Sequence, residues 1–353
     1  LHRDISHAGR IYNHMIALHK RYYRLYGKSI NVYALNRHIT KMKKRKGYEF
    51  LKCIGSQAVQ DIAFRIDKGY KLFFRNLKHG IKTAPPSFRK VKKYHSFTLT
   101  QAGWGLNGNL LRIGKRIFKF HWSRNIPDDG KIKTVTIKRN KLGELFVCFA
   151  IDAKIDKPVK SMSGKSAGID FGLKTFLTLS DGTERHSPLF FKQSKNKLAS
   201  LQRAKAKTIK GSSRYRALGR QIASVHEHIA SQRRDWFFKL AHELTDEFDY
   251  LYFETLNLKG MQRLWGRKVT DLAFSTFLEI LKYIASAKKK YVGFIDRFFP
   301  SSKLCSCGLI NDSLTLSDRR WRCSGCNKVN DRDLNASQNI LREGMSLRLS
   351  EAV

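Results

Sequence analysis

The feature that most constrains this chain is a nearly continuous apolar run at residues 248–254 that ends in a carboxylate, Glu254. A strand that is apolar on both faces has to be covered on both sides, as in the centre of a layered α/β domain. A second apolar run, residues 167–170, ends in Asp170 between Gly168 and Gly172. A carboxylate at the end of a buried strand is costly unless a cation or donor meets it. The two acids therefore predict a shared metal.

A third acid, Asp333, lies in the segment 331–340, in which Asp331 has the position of a helix N-cap. Asp333 then falls in the first helical turn, where it can face the sheet. Carboxylate oxygens suit Mg²⁺ or Mn²⁺, and two such ions about 3.5–4 Å apart can activate water and stabilise the leaving oxygen of a phosphodiester. Taken singly, such acids are more often turn residues or caps, so their joint occurrence carries the interpretation.

Four cysteines cluster near the C-terminus: Cys305, Cys307, Cys323 and Cys326. Fifteen residues separate the two pairs, which is within the range for a zinc ribbon, and Gly308 and Gly325 suit tight knuckle turns. The first pair is C-x-C and lacks one spacer of the usual C-x-x-C. We expect structural Zn²⁺, with a metal-free remnant packed around Trp321 as the alternative. Cys53 and Cys148 stand among apolar neighbours and are interpreted as small buried hydrophobes.

Basic residues outnumber acidic ones by 69 to 28, which gives a formal charge of +41. The excess recurs along the chain, for example at Lys41, Arg89 and Lys131, and so predicts an extended polyanion-binding surface. Attraction to a membrane surface is the weaker alternative, because phosphate is the commoner partner. We see no apolar run of membrane-spanning length and no signal-peptide pattern, so we expect a cytoplasmic, nucleoid-associated protein without a membrane partner.

The hydrophobic pattern changes twice along the 353 residues. Helical spacing dominates up to about residue 80, as at Leu18, Tyr22 and Leu25, and again from Val59 to Phe73. Short alternating runs follow to about residue 160 and predict a small antiparallel barrel or sheet around the helices. Residues 189–245 form a basic helical hairpin broken at Gly211.

Four segments carry a family resemblance: residues 168–182, 254–261, 299–302 leading into the cysteines, and 331–340. In this order they resemble the hallmark segments of TnpB (OrfB), a family of RNA-guided nucleases from insertion sequences that is related to compact type V CRISPR effectors. The similarity extends to the basic hairpin and, more weakly, to the N-terminal half. The C-x-C pair departs from the family pattern and bears on zinc occupancy.

The resemblance implies a multidomain α/β protein with five segments. These are a helical recognition lobe (1–82), an antiparallel β-barrel wedge (83–162), an RNase H-like (RuvC) nuclease domain (163–300), an inserted zinc ribbon (301–330) and a final RuvC segment with the C-terminal tail (331–353). The chain opens at Leu1 without a Met, so we expect a missing start that holds the first strand of the wedge.

Position by position, the resemblance implies that Asp170, Glu254 and Asp333 are the catalytic acids that bind Mg²⁺ or Mn²⁺. It implies a structured, transposon-encoded guide RNA and double-stranded target DNA as partners. The helix that carries Gln60 is expected to read a short DNA motif beside the target, because a glutamine amide can pair bidentately with adenine. A solvated surface glutamine is the alternative.

The leading prediction is therefore an RNA-guided DNA endonuclease of a transposable element. A nuclease-inactive RNA-guided regulator is the first alternative, and the presence of all three acids disfavours it. A type V CRISPR effector and a strand-transfer transposase are further alternatives. The position of the ribbon between the second and third acids disfavours the transposase.

Overall fold

The computed structural model describes residues 1–153, 162–315 and 317–351. It divides into two compact units, Leu1–Ile155 and Asp156–Val353. In the described ranges, no helix is both long and apolar enough to cross a membrane.

The first unit is mostly helical up to residue 78, as the sequence predicts, and its three helices are α1 (His2–Tyr26), α2 (Val32–Met42) and α3 (Ser56–Lys78). Helix α1 ends at Gly27, whose φ of 62° is in the left-handed region, and α2 begins at Asn31, whose side chain accepts the Ala34 N–H. Val59, Ile62 and Ile66 of α3 face the core, which confirms the predicted apolar stripe of that helix.

Six strands follow: β1 (Ser96–Leu99), β2 (Trp104–Asn107), β3 (Leu110–Ile113), β4 (Arg116–Lys119), β5 (Lys131–Arg139) and β6 (Leu145–Asp152). They form two antiparallel sheets, β1-β5-β6 and β2-β3-β4. One core joins them to the helices, through residues such as Ile62, Phe97 and Val135. The predicted packing of strands against helices is confirmed, while closure of the strands into a barrel stays a prediction.

Two predictions about this unit are wrong in detail. Cys53 and Cys148 are exposed rather than buried. Cys53 follows a 3₁₀ turn (Glu49–Lys52) on the surface, and Cys148 lies on β6, a sheet-edge strand, between the inward-facing Val147 and Phe149. Apolar neighbours in sequence do not bury a strand residue, because successive side chains point to opposite faces.

The second unit is built on a five-stranded sheet of order β9-β8-β7-β10-β11. Its strands are β7 (Ser166–Phe171), β8 (Leu177–Leu179), β9 (Glu184–Arg185), β10 (Tyr250–Glu254) and β11 (Tyr291–Ile295). The first three form an antiparallel meander, and β10 and β11 extend it in parallel with β7.

The helices of this unit are α4 (Phe190–Ala206), α5 (Ser213–Glu247), α6 (Leu258–Leu272), α7 (Phe274–Ala287) and α8 (Arg332–Glu351). A small antiparallel pair, β12 (Arg320–Arg322) and β13 (Val329–Asp331), precedes α8. Leu251 and Phe253 of β10 pack in the core that includes Phe237 of α5 and Phe277 of α7, while Tyr252 packs with Ile340 of α8 on the other face. The continuous apolar run is therefore a central strand covered on both sides, as predicted.

Candidate active site and metal centre

The first two acids lie at the same end of neighbouring strands. Strands β7 and β10 run parallel, with Phe253 opposite Ile169, so Asp170 and Glu254 each follow the last pair of this register. Because both strands point the same way, their carboxylates emerge at one edge of the sheet. Both residues are only partly exposed to solvent.

The third acid reaches this edge from α8. Asp331 accepts the backbone N–H groups of Asp333 and Leu334 at 3.1 Å, so it is the N-cap and Asp333 lies in the first turn, as predicted. The helix packs on β7 at Gly168, where an added Cβ would lie 2.1 Å from the carbonyl oxygen of Ser337. Only glycine permits this approach, which brings Asp333 within electrostatic reach of Asp170.

The charges at this edge oppose one another. Burial raises the pKa of Asp170 to about 7, with further contributions from the negative charges of Asp333 and Glu254. Burial also raises the pKa of Glu254, although the Ser301 hydroxyl donates to its Oε2 at 3.4 Å. A bound cation would stabilise both carboxylates in their ionised form, which is the chemistry expected of a hard divalent metal site.

Asp333 is held by two arginines. Its Oδ2 accepts from Arg319 at 2.8 Å and its Oδ1 from Arg332 at 3.1 Å. Among the described residues, only the four cysteines gather three or more ligand atoms at the spacing of one ion. Asp333 and Glu254 act electrostatically on Asp170, while the carboxylate oxygens of Asp333 are engaged by the two arginines.

Asparagines missed by the sequence argument fix the loop that touches Glu254. Asn339 Nδ2 donates to the carbonyls of Ser301 and Leu304, both at 2.7 Å, and Asn335 Nδ2 donates to Leu304 at 2.9 Å. Both side chains are buried on α8. The sequence signal was the presence of two amides four residues apart, on one helix face beside Asp333.

The four cysteines converge despite the short first pair. Sγ atoms of Cys305 and Cys326, and of Cys307 and Cys323, lie 3.6 Å apart, and all four lie within 4.8 Å of one another. Tetrahedral zinc with Zn–S bonds of about 2.3 Å needs sulfurs about 3.8 Å apart. The cluster therefore has the donors and the dimensions to hold a metal ion.

The two knuckles differ by one residue in the turn. The Gly308 N–H donates to the Cys305 carbonyl at 3.0 Å, whereas in the second knuckle the Asn327 N–H donates to the Cys323 carbonyl at 3.0 Å, one residue further along. In each, the residue directly after the second cysteine has a positive φ, 92° at Gly308 and 57° at Asn327. Gly308 acts as predicted, but the left-handed residue of the second knuckle is Asn327, not Gly325.

The surroundings of two of the four sulfurs, those of Cys305 and Cys323, favour thiolate, whereas the neighbouring Cys305 raises the pKa of Cys326 to about 11. A hydrogen bond from the backbone N–H of Cys307 lowers the pKa of Cys305 to about 6, and one from the backbone N–H of Cys326 lowers the pKa of Cys323. Asn330 Nδ2 lies 3.7 Å from the Cys305 sulfur. Trp321 packs against Cys305 and Cys323.

Gln60 lies in the first unit, on the exposed face of α3 opposite Val59, Ile62 and Ile66. The exposed Phe64 and Lys68 follow it at helical spacing on the same face. The side chain of Gln60 is exposed to solvent.

Comparison with known proteins identifies two segments. The family model OrfB of the IS605 group, described as "Probable transposase", matches residues 147–264, and the model "Cas12f1-like, TNB domain" matches residues 274–340. A chain in a structure titled "Cryo-EM structure of the Cas12f1-sgRNA-target DNA complex" has the same fold, with a TM-score of 0.60 and 15% identity over 96% of this chain and 81% of that one.

Similar proteins span most of the chain. A protein of Streptomyces pristinaespiralis named "Putative RNA-guided DNA endonuclease" is 29% identical over 87% of this chain and 76% of its own length. "Putative RNA-guided DNA endonuclease InsQ" of Escherichia coli K12 is 25% identical over 84% of this chain and 76% of its own length. TnpB-like protein L79 of Acanthamoeba polyphaga mimivirus is 25% identical over 60% and 44%.

The fold is thus mixed α/β and resembles that of the Cas12f1 chain, and the four cysteines lie in the segment that matches the Cas12f1-like TNB model. Residues 147–264 match the OrfB model, and the similar proteins of Streptomyces pristinaespiralis and Escherichia coli are named putative RNA-guided DNA endonucleases.

Proposed function

We propose that this chain is an RNA-guided DNA endonuclease of a transposable element, which hydrolyses target phosphodiesters with divalent metal ions. The observation that carries the proposal is the meeting of Asp170, Glu254 and Asp333, from three distant segments, at one edge of the sheet. The names of the relatives in Streptomyces and Escherichia coli support it. We infer that a protein with this activity associates with the nucleoid, where its DNA target lies.

The finer domain assignments belong to the same proposal. An antiparallel meander extended by two parallel strands, with acids at the carboxyl ends of β7 and β10, supports an RNase H-like (RuvC) domain at 163–300. The three helices support a recognition lobe at 1–82, and the antiparallel sheets support a wedge at 83–162. The cysteine cluster supports a zinc ribbon at 301–330.

In this mechanism Asp170, Glu254 and Asp333 would hold Mg²⁺ or Mn²⁺, which would supply water activation and stabilisation of the leaving oxygen. The chain itself sets their geometry. Ser301 orients Glu254, the Asp331 cap fixes the turn that carries Asp333, and Gly168 lets α8 approach β7. Arg319 and Arg332 place positive charge where a phosphate would lie beside the acids.

A cleavage assay on the RNA-bound protein tests the proposal. Asp170→Ala, Glu254→Ala and Asp333→Ala should each lower the cleavage rate in Mg²⁺ by about 10³-fold or more while target binding stays nearly intact. Asp181→Ala is the matched control, because Asp181 lies at a turn of the same sheet and, in the part of the chain that the structure describes, its side chain bonds only to Thr183. Full cleavage by Asp170→Ala would refute the acid assignment. Target binding without cleavage by the unaltered protein would indicate a regulator instead.

Guide RNA is proposed because the charge of +41 exceeds what a phosphodiester substrate alone requires. Protein purified from its natural gene context should carry a structured RNA, and removing that RNA should abolish sequence-specific cutting. Specific cutting by the RNA-free protein would refute the guide and leave the metal chemistry standing.

Gln60 is proposed to read the motif beside the target. Its replacement by Ala should relax the preferred motif in a randomised DNA library, because a bidentate amide contact distinguishes adenine. Lys68→Ala on the same face is the control, and it should weaken binding uniformly across sequences. An unchanged motif in Gln60→Ala would assign the role to another residue.

A further inference from the structure

The loop between β11 and the cysteines is anchored to Glu254 at both ends. Where it leaves the sheet, Ile295 is the register partner of Glu254, and its carbonyl accepts the N–H and hydroxyl of Thr255 at 3.2 and 2.8 Å. Where it returns, Ser301 donates to Glu254. The tip of the loop, residues 297 and 298, is therefore tethered next to the acids.

Phe298 at this tip and the next residue, Phe299, differ in their exposure to solvent. Phe299 packs against Ile295 and Ile340, on the face of the sheet covered by α8. Phe298 is 77% exposed. A single exposed ring is ordinary on a protein surface, so its significance here comes from the cation over it and the acids beside it.

The backbone that carries the exposed ring is hydrogen-bonded, and a cation lies over the ring. Asp296 Oδ1 accepts the backbone N–H of Phe298 at 2.7 Å, and the Phe299 N–H donates to the Asp296 carbonyl. The guanidinium of Arg297 lies over the Phe298 ring, 4.3 Å from its centroid. The amides of Asn335 and Asn339 hold the far end of the loop.

We propose that Arg297 and Phe298 form a stacking platform for one nucleobase of the single-stranded DNA that is being cut. The ring offers a π-face to the base, and the guanidinium offers charge to its phosphate, which is the pairing that single-stranded nucleic acid binds. A base in a duplex has both faces occupied, so the platform selects an unpaired strand.

The position of the platform fits this role. Phe298 lies three residues from Ile295 and three from Ser301, so the chain keeps it within about 11 Å of both contacts with the Glu254 strand end. A base stacked there would belong to a nucleotide close to a phosphate held at the acids. The platform rests on the proposed nuclease function, which it deepens by naming a residue that positions the strand.

The test uses the RNA-bound protein and a single-stranded DNA oligonucleotide with one 2-aminopurine, moved through successive positions. In the Asp170→Ala background, which leaves the strand uncut, one position should show strongly quenched fluorescence. Phe298→Ala should abolish that quenching, and Phe298→Trp should restore it. Phe298→Leu keeps an apolar side chain but lacks a π-face, so it should behave like Phe298→Ala.

With Asp170 intact, Phe298→Ala should raise KM for single-stranded DNA by about 5- to 150-fold, the range that alanine substitution of a stacking aromatic gives. Tyr283→Ala is the matched control, because Tyr283 is another exposed aromatic of this unit, 64% exposed on α7. It should leave both readouts unchanged.

The outcomes separate the platform from the nuclease. Quenching and KM that are the same in Phe298→Ala and Tyr283→Ala would overturn the platform while leaving cleavage intact. Cleavage that does not depend on Asp170 would overturn the nuclease assignment, and quenching that depends on Phe298 would still establish the platform. Loss of binding to a protein partner in Phe298→Ala, with unchanged quenching, would overturn it in favour of a protein-docking site.

Discussion

The acid cluster and the cysteine cluster are assembled in opposite ways. The cysteines lie between residues 305 and 326, and two turns and one short hairpin bring them together. The acids come from β7, β10 and α8, and they meet only after the central sheet has formed and α8 has docked on it. One site depends on local backbone geometry and the other on long-range packing.

The two clusters also differ in what they gain from a cation. The sulfurs already lie close to the spacing that tetrahedral zinc needs, and backbone N–H groups stabilise the thiolates of Cys305 and Cys323. Burial raises the pKa of Asp170 to about 7, and the negative charges of Asp333 and Glu254 add to this. Zinc would secure a segment that has little core of its own, whereas magnesium would relieve a charge conflict that the folded core imposes.

The largest expected effect comes from breaking the long-range assembly. In Gly168→Ala, the new Cβ would meet the Ser337 carbonyl at 2.1 Å and the Leu341 amide nitrogen at 2.4 Å, so α8 has to move away from β7. We expect a loss of about 3 kcal/mol of unfolding free energy and at least a hundredfold loss of cleavage, because Asp333 moves with the helix. Thermal unfolding and the cleavage assay measure both.

Gly219→Ala is the matched control for this prediction. Gly219 lies within α5, and its new Cβ would meet only the flexible end of Lys205, at 3.4 Å. Alanine inside a helix should stabilise the protein by about 0.5–1 kcal/mol and leave cleavage unchanged. If Gly168→Ala retained normal cleavage, the position of Asp333 would not depend on this contact.

What could be predicted from sequence follows the same division. The strand ends, the Asp331 cap and the basic hairpin are encoded in local periodicity and capping chemistry, so the places of Asp170, Glu254 and Asp333 in the fold could be predicted. The contacts of Ser301, Asn335 and Asn339 depend on how α8 docks, and no local pattern encodes that. Spacing alone could not predict whether the C-x-C pair can join the cysteine cluster, because the turn at each pair depends on which residue takes the left-handed conformation.

A smaller effect is expected from removing the metal of the cysteine cluster. Elemental analysis should find about one zinc per chain, and Cys305→Ser or a zinc chelator should abolish it. Backbone amides of the segment 301–330 should then exchange rapidly with solvent, while those of β7 and β10 stay protected, because the sheet has its own core. Cys148→Ser is the control, since Cys148 lies exposed on β6, outside the cluster.

The exchange pattern distinguishes two relations between the ribbon and the sheet. Exchange confined to the ribbon would show that the two sites are stabilised independently. Loss of protection in β7 would show that the ribbon supports the sheet, with the Arg319 contact to Asp333 as the route. A zinc content near zero in the unaltered protein would show that the short first pair has cost the site its metal.

The smallest expected effect is the pH dependence of stability without Mg²⁺. Because the pKa of Asp170 in the folded chain is about 7, above its value of about 3.9 in an unfolded chain, the folded state keeps a proton that the unfolded state loses. Stability should therefore fall as pH rises from about 4 to about 7, with Glu254 acting in the same direction. We expect a decrease of a few degrees in Tm across this window, measured by thermal unfolding in magnesium-free buffer.

Asp170→Asn should flatten the decrease in Tm, and Asp181→Asn should not. Added Mg²⁺ should raise Tm at pH 8 in the unaltered protein and much less in Asp170→Asn, because the cation stabilises the ionised carboxylates. A Tm that rose from pH 5 to pH 7 through Asp170 would contradict the charge conflict and leave the acids as ordinary strand-end residues.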